Sequence, residues 1–377
     1  MIYLDHNATT PLRPAVRAAM LPYFGDEFGN PSSVHRLGAR ARVAIESARA
    51  DLAHAIGARP REVVFTGGGT ESNNLALFGV AANREGPIVT TSIEHSSILA
   101  PLATLATAGR DVRRLAVDRD GRVDLDALDA ALRDAPALVS IGWANNEIGT
   151  IQAIPDIAER CRAARVLLHV DAVQAFGKIP VAAHACDLMS VSAHKIGGPK
   201  GAGALFVRSG VPVTARMFGG LQERGLRAGT ENVAAIVGFG VACNDLAIDQ
   251  ADQKRTLRER LWSGLLARID GIERNSPLDP CLPNTLNVRV PDVRGEALVA
   301  ALDLEDIAAS TGSACAAGAA EPSHVLRAIG LIEDDARDGV RFSLGRDTST
   351  ADVDRVIQVV DEVVAHMRRV RRQVAHG

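Results

Sequence analysis

Between Val166 and Gly203 the chain reads VLLHVDAVQAFGKIPVAAHACDLMSVSAHKIGGPKGAG, and two of its residues could do chemistry together. Asp171 and Lys195 each lie just past a short apolar run, Val166–Val170 and Leu188–Ala193, of a length that suits a buried strand. In open α/β sheets, ligands bind at the carboxyl ends of the strands. The chain has only four lysines, Lys178, Lys195, Lys200 and Lys254, and arginine carries nearly all the remaining positive charge. Schiff-base chemistry needs an amine that can lose its proton near neutrality, which arginine cannot do. The plain alternatives are a solvated loop lysine and an aspartate that caps the next helix.

A second segment, FTGGGTES (Phe65–Ser72), combines a strand, a glycine turn and a helix start. Backbone amides at a helix N-terminus, with the Thr70 hydroxyl beside them, make a phosphate cradle. The segment is neither a Walker A loop nor a dinucleotide fingerprint, and a tight structural turn would read the same way. An amine, a carboxylate and a phosphate cradle together suit pyridoxal 5′-phosphate (PLP). Its aldehyde bonds to a lysine, and its ring nitrogen stays protonated against a carboxylate. Ser192 and His194, flanking the lysine, are further candidates for the phosphate.

Positioning these groups takes an alternation of strands and helices. Strands are expected at Glu62–Thr66, Pro87–Thr91, Val112–Val117, Ala137–Trp143, the two runs above and Gly203–Val207. Helices are expected at Ala39–Ile56, ended by Gly57, then from the glycine turn to Ala82, and at Ser97–Ala108, Leu125–Leu132 and Ile154–Ala164. Runs that are apolar on both faces imply a mostly parallel sheet covered by helices. A helical pattern over Asn232–Ile269 reads as one long helix joining this layer to a smaller α+β unit. That unit has strands at Thr285–Val290 and Val340–Leu344 and a final helix from about Asp352. The expected division is a large domain over residues 12–255 and a small one from 1–11 with 256–377.

Composition bounds the rest. At 377 residues, 47% hydrophobic and 23% charged, the chain reads as a globular protein of two domains. Aromatics make up only 3%, so the core must be aliphatic. A net charge of -3 gives no footprint for nucleic acid or for an anionic membrane surface. No apolar run approaches the ~20 residues that cross a bilayer, and Met1 leads into a strand-like run without a signal-peptide pattern. The five cysteines, Cys161, Cys186, Cys243, Cys281 and Cys315, are odd in number and unpaired in spacing. The expectation is a cytoplasmic protein with no disulfide framework and no structural metal site.

Taken in order, LD-x-NATTP, FGNPSS, FTGGGTES, the EH of SIEHSS, WANNEIGT, HVDAVQAFGK, SAHKIGGPKG, ERGLRAGTEN, STGSACAAG with EPSHVLRA, and RFSLGR resemble the motifs of cysteine desulfurases. These are PLP enzymes of the class V aminotransferase fold, a mostly parallel seven-stranded sheet plus a smaller α+β domain. The likeness is to the NifS/IscS group and covers nearly the whole chain. It implies that Lys195 bonds the cofactor, that Asp171 faces its ring nitrogen, and that Gln174 reaches its ring oxygen. His95 resembles the histidine that stacks on the ring and moves protons. Gly69, Thr70, Ser192 and His194 match phosphate contacts, and Thr230 matches one supplied to the other subunit of a homodimer. Asn145 and Arg341 resemble residues that hold the substrate carboxylate, Asn145 also touching the cofactor, and Asn7 lines the pocket.

The resemblance assigns the nucleophile to Cys315, in a loop of small residues. A buried small hydrophobe is the alternative reading of any one cysteine. In the implied reaction, L-cysteine displaces Lys195 from the cofactor and the freed lysine takes the Cα proton. The Cys315 thiolate attacks the substrate sulfur, leaving a persulfide and releasing L-alanine. The sulfur would pass to an iron–sulfur scaffold or another acceptor, including nitrogenase cluster assembly, where Cys315 would also contact a cluster. A selenocysteine lyase or another class V enzyme is the alternative. Gly67 and Gly69 stand where the family commonly has Ser or Ala. The chain ends at Gly377, soon after its last helix, so scaffold contact through a longer tail is not expected.

Overall fold

The computed structural model describes residues 1–312 and 322–376. The chain begins with β1 (Ile2–Tyr3) and then builds a central sheet from β2 (Val63–Thr66), β3 (Ile88–Thr91), β4 (Val112–Leu115), β5 (Leu138–Gly142), β6 (Leu167–Asp171), β7 (Leu188–Ser192) and β8 (Gly203–Val207). The seven strands lie in the order β2-β8-β7-β6-β5-β3-β4. Neighbours from β7 through β4 pair in parallel, while β8 is antiparallel to both β2 and β7. The central strands are buried on both faces, as the unbroken apolar runs require, because helices cover both sides.

Register sets the site. Gly142 lies opposite Asp171, and Asp171 opposite Ser190, so the carboxyl ends of β5, β6 and β7 come out on one edge. Strand order reverses between β3 and β5, and a reversal of this kind opens a crevice at that edge. The helix Arg36–Ile56 ends at Gly57 with φ 67°, the left-handed stop that glycine takes without a Cβ penalty.

A second core gathers Leu4, Leu257, Leu261, Leu286, Leu298, Phe342 and Val356. It packs beside a three-stranded antiparallel sheet in which β10 (Thr285–Arg289) lies between β9 (Glu273–Arg274) and β12 (Gly339–Ser343). The N-terminal arm joins this core, because β1 pairs in parallel with β11 (Ile307–Ala308). Asn7 is thereby led across to the main sheet.

The single helix expected over Asn232–Ile269 is instead two, Val233–Cys243 and Ala251–Leu266, the second led in by a 3-10 turn at Ala247–Gln250; Ala247–Leu266 is bent by 50° from the first. The physical reason is that each half serves a different core. Ile236 and Phe239 pack into the main sheet's core, whereas Leu257, Leu261 and Leu265 belong to the second. Between them Asp245 accepts Arg13 and Arg346 in ion pairs, which holds the corner. No single helix among the described residues is long and apolar enough to cross a membrane.

His169 on β6 is fully buried between the hydroxyls of Ser140 and Ser190, at 2.9 and 3.0 Å. Burial lowers its pKa to about 4, against a smaller opposing pull from Asp171. An imidazole in the unfolded chain titrates near 6.5. Below that pH the unfolded state binds a proton that the folded state refuses. Stability held above pH 6.5 is therefore lost as pH falls toward the folded value, on the order of 3 kcal/mol in all. His169→Gln should lose clearly less stability than the native chain between pH 6.5 and 4.5 in urea titrations. An equal loss would contradict this assignment.

Candidate active site

At the crevice lies a cavity of about 340 Å³, within the size range of small-molecule sites. Its walls bring together Asn7, Gly69, Thr70, His95, Asn145, Asp171, Gln174, Ser192, His194, Lys195 and Arg341, all singled out from sequence. Thr230 is not among them. It is exposed beside the glycine-rich stretch. Cys315 lies outside the described residues, but Gly312, three positions before it, lines the cavity.

The glycine turn is built as a cradle. Thr66 Oγ1 and Ser72 Oγ share a hydrogen bond at 2.7 Å, and whichever hydroxyl accepts it is free to donate to the Gly68 carbonyl, 3.1 Å from each. Glu71 accepts from the Gly67 amide at 2.7 Å and from Arg227 at 2.9 Å, tying the turn to the glycine-rich stretch. A Cβ on Gly69 would lie 2.7 Å from Val173 Cγ2, so with this placement of Val173 the helix Gly69–Ala81 starts too close to the strand ends to take a side chain there unless the valine shifts. Its first-turn amides have no helical acceptor. Beside them Ser192 Oγ is buried with no partner among the described residues. A buried orphan hydroxyl is costly, and the combination fits a bound phosphate.

Lys195 Nζ donates to the carbonyls of Asn7 and Ala8, the latter at 2.8 Å, so the N-terminal arm fixes where the amine sits. Asp171 accepts from the Val173 amide at 2.9 Å and from Asn73 Nδ2 at 2.7 Å. Asn73 also donates to Ser97 Oγ at 2.8 Å, and Ser97 Oγ lies 2.8 Å from His95 Nδ1. The Ser97 amide donates to the same nitrogen at 3.1 Å. Nδ1 is therefore an acceptor, and the imidazole proton sits on Nε2. The ring is accessible at the cavity wall, yet burial lowers its pKa. Neighbouring Asp171 opposes that shift and Lys195 adds to it. His194, whose Nδ1 meets Thr9 Oγ1 at 3.1 Å, is pushed down to about 4 by burial and the nearby lysines.

Arg341 is 3% exposed, pairs with Asp5 at 2.6 Å and donates to the Asn146 carbonyl at 3.0 Å. Its Nε has no partner among the described residues, which leaves a donor for an incoming carboxylate. Asn145 is more committed than expected. Its Oδ1 accepts the amides of Glu147 and Ile148, and Nδ2 donates to the Ile93 carbonyl, so one N–H remains. Asn7 lines the cavity, but its side chain is spent on Thr285, Asn146, Asn284 and Lys178.

Asn73, Ser97, Asp5 and Lys178 were not singled out from sequence. Asp5, Ser97 and Lys178 stand inside quoted motifs and Asn73 directly follows one, and that placement was the only signal. Nearby, Glu147 accepts a hydrogen bond from Ser323 at 2.5 Å, and His324 Nε2 lies 2.9 Å from the Glu94 carbonyl. Both flanks of the segment bearing Cys315 thus meet the cavity wall. The four described cysteines are buried, and burial raises every one of their thiol pKa values, to about 12 for Cys161 and about 11 for Cys281.

The chain matches the family model described as aminotransferase class-V over residues 2–356. A relative named cysteine desulfurase from Nostoc sp. (strain PCC 7120) is 45% identical over 375 residues, covering 98% of this chain and 94% of that protein. A solved structure titled NifS-like protein superposes with TM-score 0.91 at 37% identity, covering 97% of this chain and 99% of that one. Another, titled SspA in complex with cysteine, gives TM-score 0.81 at 36% identity over 91% of this chain and 99% of that one. Match and geometry agree: this chain belongs to the class-V aminotransferase family.

Proposed function

We propose that the protein is a PLP-dependent cysteine desulfurase that converts L-cysteine to L-alanine and takes the sulfur as a persulfide on Cys315. The observation that carries this reading is the convergence of Lys195, Asp171 and the Gly69–Thr70–Ser192 cradle on one cavity. Its cysteine preference rests on the likeness to proteins named cysteine desulfurase. When bound, PLP supplies an electron sink for the pair left at Cα.

The chain's own residues supply the rest. Gly69, Thr70, Ser192 and His194 hold the phosphate, and Asp171, kept in place by Asn73, offers its carboxylate to the ring nitrogen. Lys195 Nζ provides the amine and, once released, accepts the Cα proton. His95 stays neutral and presents Nε2–H, so it can donate or relay a proton at neutral pH. Arg341 Nε and the remaining Asn145 N–H orient the substrate carboxylate. In the transfer, the substrate C–S bond breaks as the Cys315 thiolate forms an S–S bond. Alanine leaves with a proton in place of sulfur, and an acceptor thiol must later take the sulfane sulfur. The described cysteines are poor rivals, because a raised thiol pKa leaves little thiolate.

The working form is proposed to be a cytoplasmic homodimer. Met217, Phe218 and Leu221 are 45%, 81% and 88% exposed beside Thr230, an apolar patch that a second copy would cover while delivering Thr230 to its partner's cofactor. The acceptor is proposed to be an iron–sulfur scaffold or another sulfur carrier. The large cofactor-binding domain is proposed to be residues 12–255, and the small domain, which carries Cys315, residues 1–11 with 256–377.

The test loads the protein with PLP and supplies L-cysteine or L-selenocysteine with a reducing thiol. Equimolar alanine and sulfide from cysteine are expected. Turnover of selenocysteine alone would favour the lyase, and no cofactor uptake would sink the reading. In the same assay Arg341→Lys keeps the charge beside Asp5 but loses the fork. KM for L-cysteine is expected to rise about tenfold with a smaller change in kcat. An unchanged KM would remove Arg341 from substrate binding.

A further inference from the structure

The lysine that ends HVDAVQAFGK, Lys178, is placed where an amine is costly. Its Nζ donates to Gln174 Oε1 at 2.6 Å and to Asn7 Oδ1 at 2.7 Å, both neutral acceptors. No ion pair to a carboxylate is found for it among the described residues. Burial lowers its pKa well below the usual lysine value, and the charges of Lys195 and Arg341 push in the same direction. A cation held this way without a counter-charge destabilises the fold unless the arrangement serves something else.

What it settles is the direction of one amide. Charged or neutral, Nζ has N–H groups for both of its neighbours and donates to each, which sets the Gln174 oxygen toward Lys178. The Asn7 carbonyl only accepts, so the Gln174 atom 2.8 Å from it must be the nitrogen. Both neighbours demand the same orientation, and a flip would set N–H against N–H and oxygen against oxygen. Gln174 therefore has no acceptor left to offer the cavity, and its second Nε2 hydrogen is the group it presents there. Asn7 is locked by the same logic, with Oδ1 taken by Lys178 and by Asn284 at 3.1 Å, and Nδ2 given to Thr285 and Asn146.

We propose that Lys178 is a positioning residue that makes Gln174 an obligate hydrogen-bond donor toward the ring oxygen of the cofactor. The inference rests on the PLP reading of the cavity. Without Lys178 only the Asn7 carbonyl still favours this orientation, the flipped amide is populated more often, and an oxygen facing an anionic oxygen repels it. The lost donor is one hydrogen bond to an ionised acceptor, about tenfold in affinity.

The test titrates apo-protein with PLP and records the dissociation constant, the position of the visible band and the melting temperature of the apo form. Lys178→Met is expected to weaken binding about tenfold and to move the band. Gln174→Met is expected to do the same, and Lys178→Met added to it should change binding less than about twofold. If Lys178→Met does not fold, Gln174→Glu decides. That variant gives Lys178 a carboxylate partner, so it should fold, yet it removes the donor and should shift the band likewise. Native-like affinity and band in Lys178→Met, full additivity in the double variant, or an unshifted band in Gln174→Glu would overturn the inference. Failure of the native chain to bind PLP is a different result, which defeats the cofactor reading and this inference with it.

Discussion

Lys195→Ala is expected to give a folded protein that holds PLP only non-covalently and releases alanine from L-cysteine at least about 10³-fold more slowly. The amine is asked to do two things, bond the cofactor and take the Cα proton, and the proton transfer alone is worth that much. The fold should tolerate the change. Lys195 Nζ contacts two carbonyls of the N-terminal arm, and one of them, that of Asn7, keeps Gln174 Nε2 as a donor. Borohydride reduction followed by peptide mapping checks the covalent part, with label on Lys195 in the native chain and none in the variant. Partial rescue by small primary amines would show that the missing group is an amine. If Lys195→Ala retains native turnover, or if the reduced label sits on Lys178, the assignment of roles to the two neighbouring lysines is wrong.

Cys315→Ser carries the second large effect, and it separates cofactor chemistry from sulfur chemistry. The two side chains are close in size, but a serine hydroxyl is not ionised near neutrality and makes no persulfide. The variant should bind PLP as the native chain does, show the same visible band, and respond spectrally to L-cysteine. Alanine production should fall to background. The described cysteines cannot stand in for it, since each is buried with a raised thiol pKa. Alanine release at the native rate from Cys315→Ser, in the absence of added thiol, would mean that the sulfur leaves by another path.

Much of the architecture was legible because it is written locally. Runs apolar on both faces marked β5, β6 and β7, and Gly57 marked a helix end, since each needs only neighbouring residues to specify it. The break near Asp245 was not legible. Helical periodicity runs on either side of it, and only the existence of two cores, met by opposite halves, explains the corner. The site followed the same rule. Residues that bear chemistry stood out by type, whereas those that orient them are ordinary amides and hydroxyls. Asn73 reaches Asp171 across 98 positions and Lys178 reaches Asn7 across 171, pairings that no spacing along the chain announces. Asn7 illustrates the other direction. It was expected at the pocket wall, and it lies there, but its side chain is committed to holding the arm.

The most direct test of the central claim is a single turnover. PLP-loaded protein, free of other thiols and oxygen, is mixed with one equivalent of L-cysteine, alkylated and mapped by mass spectrometry. The account predicts one equivalent of alanine and one added sulfur atom on the peptide carrying Cys315, with none on Cys161, Cys186, Cys243 or Cys281. Alanine formed while the Cys315 peptide gains no sulfur would contradict it.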